Sequence, residues 1–204
     1  MACGTTTGNL DDKPGTVSFN LAVDQPVVPM QIRELPADEA AVRRFSEELW
    51  LPYNRELEAV VGPFSLADDI EERLDEEVEF RLDHLDSESY RAWITVEGGD
   101  SPGASLTGSD LTLAGFITTD VEEAPPVFER PDRLLVGDVY VTADHRGTGL
   151  ARELMARAAQ RAREVGCPEL TLDVGVENDR ALAFYEKLGF EPYRHKMSVP
   201  TAEL

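Results

Sequence analysis

Hydrophobic residues recur along this chain at two spacings, one typical of helices and the other of strands. Apolar residues three or four positions apart predict two helices early in the chain, over residues 38–61 and 66–86. Asp38 is placed to cap the first helix, and Pro52 should break or kink it. Two further helices are predicted later in the chain, one after Arg146 that ends at Gly166 and one that Asn178 can cap and Gly189 ends.

Strands are predicted where apolar and polar residues alternate or where short apolar runs end in turn residues. These segments are residues 30–35, 90–99, 111–121, 133–143, 168–176 and 191–199. The resulting order is β-α-α-β-β-β-α-β-α-β, with a strand–helix–strand unit in the C-terminal half. This order predicts an α/β fold in one domain, with a mixed sheet that carries helices on both faces.

The domain is expected to span residues 29–204. Residues 1–28 are rich in Gly, Thr, Asp and Pro, which predicts a tail or an extra edge strand. No apolar run approaches the roughly 18 residues that a transmembrane helix needs, and the N-terminus does not resemble a secretory signal. Cys3 and Cys167 are too far apart in sequence to suggest a disulfide framework. Free thiols favour a reducing compartment, so we expect a cytoplasmic protein without membrane partners.

Acidic residues dominate the charge: 40 Asp and Glu stand against 19 Lys and Arg, for a net charge of −21. Such self-repulsion is relieved by concentrated salt, which indicates adaptation to molar intracellular salt, as in salt-loving archaea. An acidic face that recruits basic partners is the competing interpretation. Nucleic acid is not an expected partner, because no basic patch is present.

The predicted strand 133–143 leads into a glycine-rich turn and then a helix, which is a common arrangement for binding phosphate. The turn reads RGTGLA over residues 146–151. A Walker loop would need a Lys followed by Ser or Thr, and a dinucleotide fingerprint would need a third glycine; neither is present. The remaining pattern is R-x-x-G-x-A.

In this context RGTGLA, entered from GDVYVTADH, resembles the acyl-CoA signature of the GCN5-related N-acetyltransferases. The segment ENDRALAFYEKLGF, residues 177–190, resembles the second signature of the same family. The resemblance extends over residues 31–199 and is sharpest over 134–190, while the N-terminal tail has no counterpart. It implies the acyl-CoA N-acyltransferase fold, a single domain with a mostly antiparallel mixed sheet and helices on both faces.

The resemblance also implies acetyl-CoA as cosubstrate, with no metal ion. The coenzyme's pyrophosphate is expected on the turn and its pantetheine arm along the preceding strand, like an added strand. The implied coenzyme-binding residues are Val139, Tyr140, Val141, Arg146, Gly147, Thr148, Gly149, Leu150, Ala151 and Asn178. Alternation should place Val139 and Val141 on one face and Asp138 and Tyr140 on the other, unless a bulge shifts it.

Tyr185 matches the family's general acid, which would protonate the departing thiolate, although it could equally be a packing residue. Asp138 is the nearest carboxylate to the reaction centre and therefore the candidate base. A surface role for Asp138, with a chain of waters as the base, is the alternative. His145 lies on the phosphate turn and is interpreted as a loop residue.

The implied activity is transfer of an acetyl group from acetyl-CoA to a primary amine of a small molecule or a protein, with the Val141 N–H polarising the thioester carbonyl. A non-catalytic acyl-CoA sensor and a transferase for another acyl-CoA are the alternatives. The acceptor should meet residues 38–86 and the loop 122–133. Trp50, Tyr53 and Asn54 could line that pocket, but core and kink roles explain them equally, so they are not assigned to the site. Homodimers are common in the family.

Overall fold

A computed structural model of the protein describes residues 30–61, 65–98, 105–108 and 110–203. The predicted tail or strand over residues 1–28 lies outside the described residues. Five strands form one sheet in the order β1-β2-β3-β4-β5. They are β1 (Met30–Glu34), β2 (Arg91–Gly98), β3 (Leu111–Glu122), β4 (Arg133–Val141) and β5 (Glu169–Leu172). The first four pair antiparallel and β5 runs parallel to β4, so the predicted mixed, mostly antiparallel sheet is confirmed.

Helices lie between β1 and β2, between β4 and β5, and after β5. They are α1 (Glu39–Phe45), α2 (Leu51–Glu58), α3 (Leu74–Asp86), α4 (Leu150–Glu164) and α5 (Asp179–Lys187). A π-helical turn, Ser46–Trp50, joins α1 to α2, and short 3-10 turns lie at Ala143–His145 and Thr201–Glu203. In the residues that the structure describes, no helix is long and apolar enough to cross a membrane.

The predicted first helix is interrupted at its middle. Asp38 caps it as expected, because its side chain accepts from the Ala41 amide at 3.0 Å. The irregularity is the π-helical turn immediately before Pro52, whose ring nitrogen carries no hydrogen to donate. Asn54 supports this turn by donating its side-chain amide to the Trp50 carbonyl at 2.9 Å. The π-helical turn therefore separates α2 from α1.

Helices cover both faces of the sheet, as predicted. On one side, which we call the α3 face, α1 and α3 bury a cluster that includes Phe45, Val78 and Phe116. On the other side, the α4 face, α4 buries Leu154 against Ile117, and α5 packs beside it with partly buried apolar residues. The two clusters leave β4 as a central strand whose side chains enter both layers.

Two predicted boundaries and one predicted strand are wrong. The helix predicted over 66–86 begins only at Leu74, because residues 68–72 carry four acids and Leu74 is the first fully buried position. The strand predicted over 168–176 ends at Leu172. Residues 191–199 form no strand, and Tyr193 and Met197 are exposed there. Alternation of apolar and polar residues is not sufficient for a strand, which also needs a neighbouring strand to pair with.

Candidate active site

The candidate site lies where β4 and β5 separate. Parallel pairing between the two strands covers only Arg133–Val136 of β4, opposite Glu169–Leu172. On its other edge β4 stays paired with β3 as far as Val141. The last five residues of β4 therefore present one edge that β5 does not cover. An extended ligand arm can pair with such an edge as an added strand would.

A β-bulge lies where the open edge begins. Gly137 and Asp138 together oppose Thr118 of β3, whose hydroxyl accepts from the Asp138 amide at 2.8 Å. Beyond the bulge, Val139 and Val141 contact the α4 face, while Tyr140 lies in the cluster of the α3 face. This agrees with the predicted distribution of side chains on the two faces.

Backbone polarity also alternates along the open edge. The Thr142 amide donates to Ala114 of β3 at 3.0 Å, so its backbone points toward β3. The Val141 carbonyl points the other way and accepts from the Arg146 Nε at 3.1 Å. By alternation, the backbone groups of Val139 and Val141 belong to the open edge, whereas those of Tyr140 pair with Phe116.

The glycine-rich turn follows directly after this edge. Gly147 and Gly149 have φ angles of 78° and 98°, in the left-handed region that only glycine adopts without strain. Space beside both is open, since a Cβ added at either would meet nothing within 4 Å. The first amide to donate along α4 is that of Arg152, so the amides before it remain outside the helical ladder. The turn thus offers room and amide donors that fit a pyrophosphate.

The remaining turn residues are mostly structural. Leu150 is buried at the start of α4, and Thr148 donates its hydroxyl to the His145 carbonyl at 2.7 Å. His145 lies between the Thr142 hydroxyl and Glu97 of β2, at 2.8 and 3.1 Å, which agrees with its interpretation as a loop residue. Asn178 caps α5 by accepting from the Ala181 amide at 3.1 Å.

Arg146 differs from a simple unpaired cation at the turn. Its Nη2 donates to both carboxylate oxygens of Glu56 on α2, at 2.7 and 2.5 Å. Glu56 also accepts from the Tyr140 hydroxyl at 2.9 Å. The guanidinium lies 5.8 Å from the centre of the Tyr140 ring. The cation of the turn is therefore already matched by a carboxylate.

Asp138 and two tyrosines lie near the open edge. Tyr53 of α2 lies close to the partly buried Asp138, on the α3 face. Tyr185 of α5 approaches from the α4 face and packs against Phe184 and Phe190. The Tyr185 hydroxyl lies near enough to Asp138 for the negative charge of the carboxylate to oppose ionisation of the phenol.

These surroundings shift the acidity of all three groups. Burial raises the pKa of the Asp138 carboxyl, and the nearby Arg81 and the Tyr53 hydrogen bond oppose that rise. Burial, reinforced by the negative charge of Asp138, raises the pKa of Tyr185 to about 12. Burial and Asp138 likewise raise the pKa of Tyr53. A carboxyl of raised pKa suits a proton acceptor, and a protonated phenol suits a proton donor.

A buried ion pair lies behind Asp138. Arg81 of α3 is only 5% exposed and donates to Glu77 at 2.6 Å and to the Tyr90 hydroxyl at 2.5 Å. The positive charge of Arg81 lowers the pKa of Asp138, whereas the negative charge of Asp138 raises the pKa of Glu77. The positive charge of Arg81 therefore favours the ionised forms of two poorly solvated carboxyl groups, those of Glu77 and Asp138.

Tyr53 and Glu56 were not assigned to the site from the sequence. They lie three positions apart on α2 and so share one face of that helix. The sequence indicated only that both residues follow Pro52, in a segment where a kink was expected. Glu56 gave no separate signal, because it is one of 40 acidic residues.

No metal centre accompanies these groups in the described part of the chain. Across residues 30–61, 65–98, 105–108 and 110–203, no three His, Cys, Asp or Glu side chains converge to hold a metal ion.

Known proteins share both the sequence pattern and the fold. The streptothricin acetyltransferase of Streptomyces lavendulae is 36% identical over 94 residues, which are 46% of this chain and 47% of that protein. A mycothiol acetyltransferase of Parafrankia sp. is 29% identical over 180 residues, 81% of this chain and 49% of that protein. The chain thus spans about half the length of these relatives. The aminoglycoside N-acetyltransferase AAC(6')-Iy, solved in complex with CoA, superposes with a TM-score of 0.60 at 16% identity, over 85% of this chain and 95% of that one.

The family match lies over the part of the chain that builds the site. Residues 64–190 match the Acetyltransferase (GNAT) family. This segment contains the open edge of β4, the glycine-rich turn, α4 and α5, which carries Tyr185. The chain belongs to the GNAT acetyltransferase family.

Proposed function

We propose that the protein transfers an acetyl group from acetyl-CoA to a primary amine, by direct attack of the amine on the thioester. The observation that carries this proposal is the open edge of β4, which has the glycine-rich turn at its end and Asp138 and Tyr185 beside it. The acceptor amine belongs to a small molecule or a protein. Both classes are proposed because the relatives include a streptothricin acetyltransferase and the N-alpha-acetyltransferase MAK3.

The turn and the open edge would hold the coenzyme. The amides of residues 147–151 would donate to the pyrophosphate, and the backbone of Val139 and Val141 would pair with the pantetheine arm. The Val141 N–H is the group that would polarise the thioester carbonyl. The carbonyl of Val141 itself already accepts from Arg146. Holding the thioester against the amine in this way supplies most of the rate enhancement.

Asp138 and Tyr185 would manage the protons. As the new C–N bond forms and the C–S bond breaks, the amine loses one proton and the thiolate gains one. Asp138 accepts the first, for which a raised pKa is suitable, and Tyr185 donates the second from its protonated phenol. Tyr53 keeps the Asp138 carboxyl oriented. Since Cys167 is a buried free thiol, we also propose that the protein works in the reducing cytoplasm.

The test is release of CoA from acetyl-CoA with a panel of amines, in molar KCl. The panel spans amino acids, polyamines, aminoglycosides and N-terminal peptides. We expect release with at least one class, and a loss of about 10²–10⁴-fold in kcat for Tyr185→Phe if the phenol is the general acid. Tyr193→Phe is the matched control, because it removes the same hydroxyl from an exposed tyrosine.

Each other outcome has a definite meaning. Acetyl-CoA binding without CoA release from any amine would favour an acyl-CoA sensor. Release from succinyl-CoA or propionyl-CoA alone would keep the transferase and change the donor. Failure to bind any acyl-CoA would refute the proposal.

A further inference from the structure

Glu56 and Tyr140 form a cation site that the protein fills with its own arginine. Carboxylate oxygens and the face of an aromatic ring are the groups that proteins use to bind ammonium and guanidinium ions. Here both surround Arg146: two short contacts to Glu56 and the Tyr140 ring at 5.8 Å. The Tyr140 hydroxyl also donates to the Oε1 of Glu56 at 2.9 Å, so the carboxylate would keep one hydrogen-bond donor if Arg146 left.

Arg146 is also part of the turn proposed to bind pyrophosphate, and this places two anions in competition for one guanidinium. A pyrophosphate carries more negative charge than a carboxylate and would repel Glu56 at close range. Both Arg146 and Glu56 keep a third or more of their side-chain surface exposed, at 33% and 42%, so their ion pair is worth little and can exchange. Binding of the coenzyme can therefore draw Arg146 away from Glu56.

Glu56 would then face the acceptor side of the site. It lies on the same face of α2 as Tyr53, which contacts Asp138, the proposed base. A carboxylate next to an aromatic ring, one helical turn from the tyrosine beside the base, would attract a second positive group on the acceptor while the reacting amine is neutral. The chain thus has a reason to prefer acceptors with two cationic groups.

We propose that Glu56 is exchanged between the two substrates: it pairs with Arg146 in the free protein and, once the coenzyme's pyrophosphate engages Arg146, binds a second ammonium group of a di- or polycationic acceptor. This inference rests on the proposed function. It adds a substrate class, polycationic amines, and a coupling between the binding of the coenzyme and that of the acceptor. Because coupling between two ligands is reciprocal, a diamine must tighten CoA binding by the same factor by which CoA tightens diamine binding.

Calorimetry with CoA and simple diamines tests this proposal without turnover. The probes are CoA, a series of α,ω-diamines of increasing length, and the n-alkylamine of each length, all at one KCl concentration because salt screens the pair. Glu56→Gln removes the charge, and Glu58→Gln is the matched control, an exposed glutamate on the same helix. The control reports any effect of net charge alone.

We expect Glu56→Gln to bind CoA about two- to fivefold more tightly than Glu58→Gln, because Arg146 is no longer paired. In the wild-type protein, CoA should tighten the best diamine by the same factor of about two- to fivefold, because one ion pair limits both ligands, and leave the alkylamines unchanged. Glu56→Gln should abolish that gain, and Glu58→Gln should keep it.

Two results would overturn the proposal: equal CoA affinity in the two variants, or diamine binding that CoA does not improve at any length. Failure of the wild-type protein to bind CoA would instead refute the proposed function, and this inference with it. CoA release with an amine, combined with no effect of Glu56→Gln on either ligand, would refute only the role of Glu56.

Discussion

Replacing Tyr53 by Phe removes one hydroxyl group from the site and leaves the ring, which packs edge-on against Phe116 at 5.7 Å. Hydrogen bonding to that hydroxyl favours the ionised form of Asp138, so it lowers the pKa of the carboxyl. Without this hydroxyl, only Arg81 opposes the effect of burial, and the pKa of Asp138 rises further. If Asp138 is the base, the acid limb of the pH profile of kcat/KM must move to higher pH.

The size of the movement follows from the strength of the lost hydrogen bond. A hydrogen bond to a charged group contributes about 1.5–3 kcal/mol, and one pH unit corresponds to about 1.4 kcal/mol. A water molecule that enters the space of the hydroxyl would recover part of this, so we expect a shift of about one pH unit. Arg81, Glu77, Tyr90 and Tyr185 also surround Asp138 and are unchanged in the variant.

The assay is kcat/KM for CoA release, measured across the acid limb and the plateau with one acceptor amine. Using one amine cancels the acceptor's own titration from the comparison. Tyr53→Phe should lose about tenfold at a pH on the acid limb and little on the plateau. Tyr193→Phe should follow the wild-type profile. A uniform loss at every pH, with the limb unmoved, would show that Tyr53 acts only in packing or that Asp138 is not the base.

Three further predictions concern stability. Because the pKa of Asp138 is raised in the folded protein, its ionisation opposes folding once the pH exceeds the value of about 3.9 for an unfolded Asp. Asp138→Asn should therefore raise Tm at neutral pH by a few degrees, at about 2–4 °C per kcal/mol, and the gain should vanish in acid; a gain that persists there would refute this account. Arg81→Met leaves Glu77 buried without its cation and should cost about 3–5 kcal/mol in urea unfolding, far more than Arg43→Met, which breaks only exposed ion pairs. Added KCl should raise Tm steadily up to molar concentration, because the net charge of −21 is screened, and a flat response would contradict adaptation to salt.

Local patterns predicted the parts of the fold that depend on neighbouring residues. The caps of Asp38 and Asn178, the two glycines of the turn and the disturbance near Pro52 each follow from a few adjacent residues. The faces of Val139 and Val141 were predicted because alternation holds within the short segment beyond the bulge.

The rest depends on contacts between distant residues. Glu56 and Arg146 are 90 positions apart, and nothing local distinguishes Glu56 from other acids of a highly acidic chain. The length of β5 depends on where it separates from β4, and the helix predicted from residue 66 loses its first turns because they have nothing to pack against. Residues 191–199 alternate like a strand, but a strand also requires a neighbour.

The two-residue bulge at Gly137 and Asp138 changes the phase of β4. Before it, Leu134 and Val136 face α4, and after it Val139 and Val141 do, three positions on rather than two. Regular pairing of the same residues, without the bulge, would turn Asp138 toward α4 and Val139 toward α3. The carboxyl would then leave Tyr53 and Arg81, although every amino acid of the site would still be present. The one extra residue in β4 therefore sets which face of the sheet carries the carboxyl.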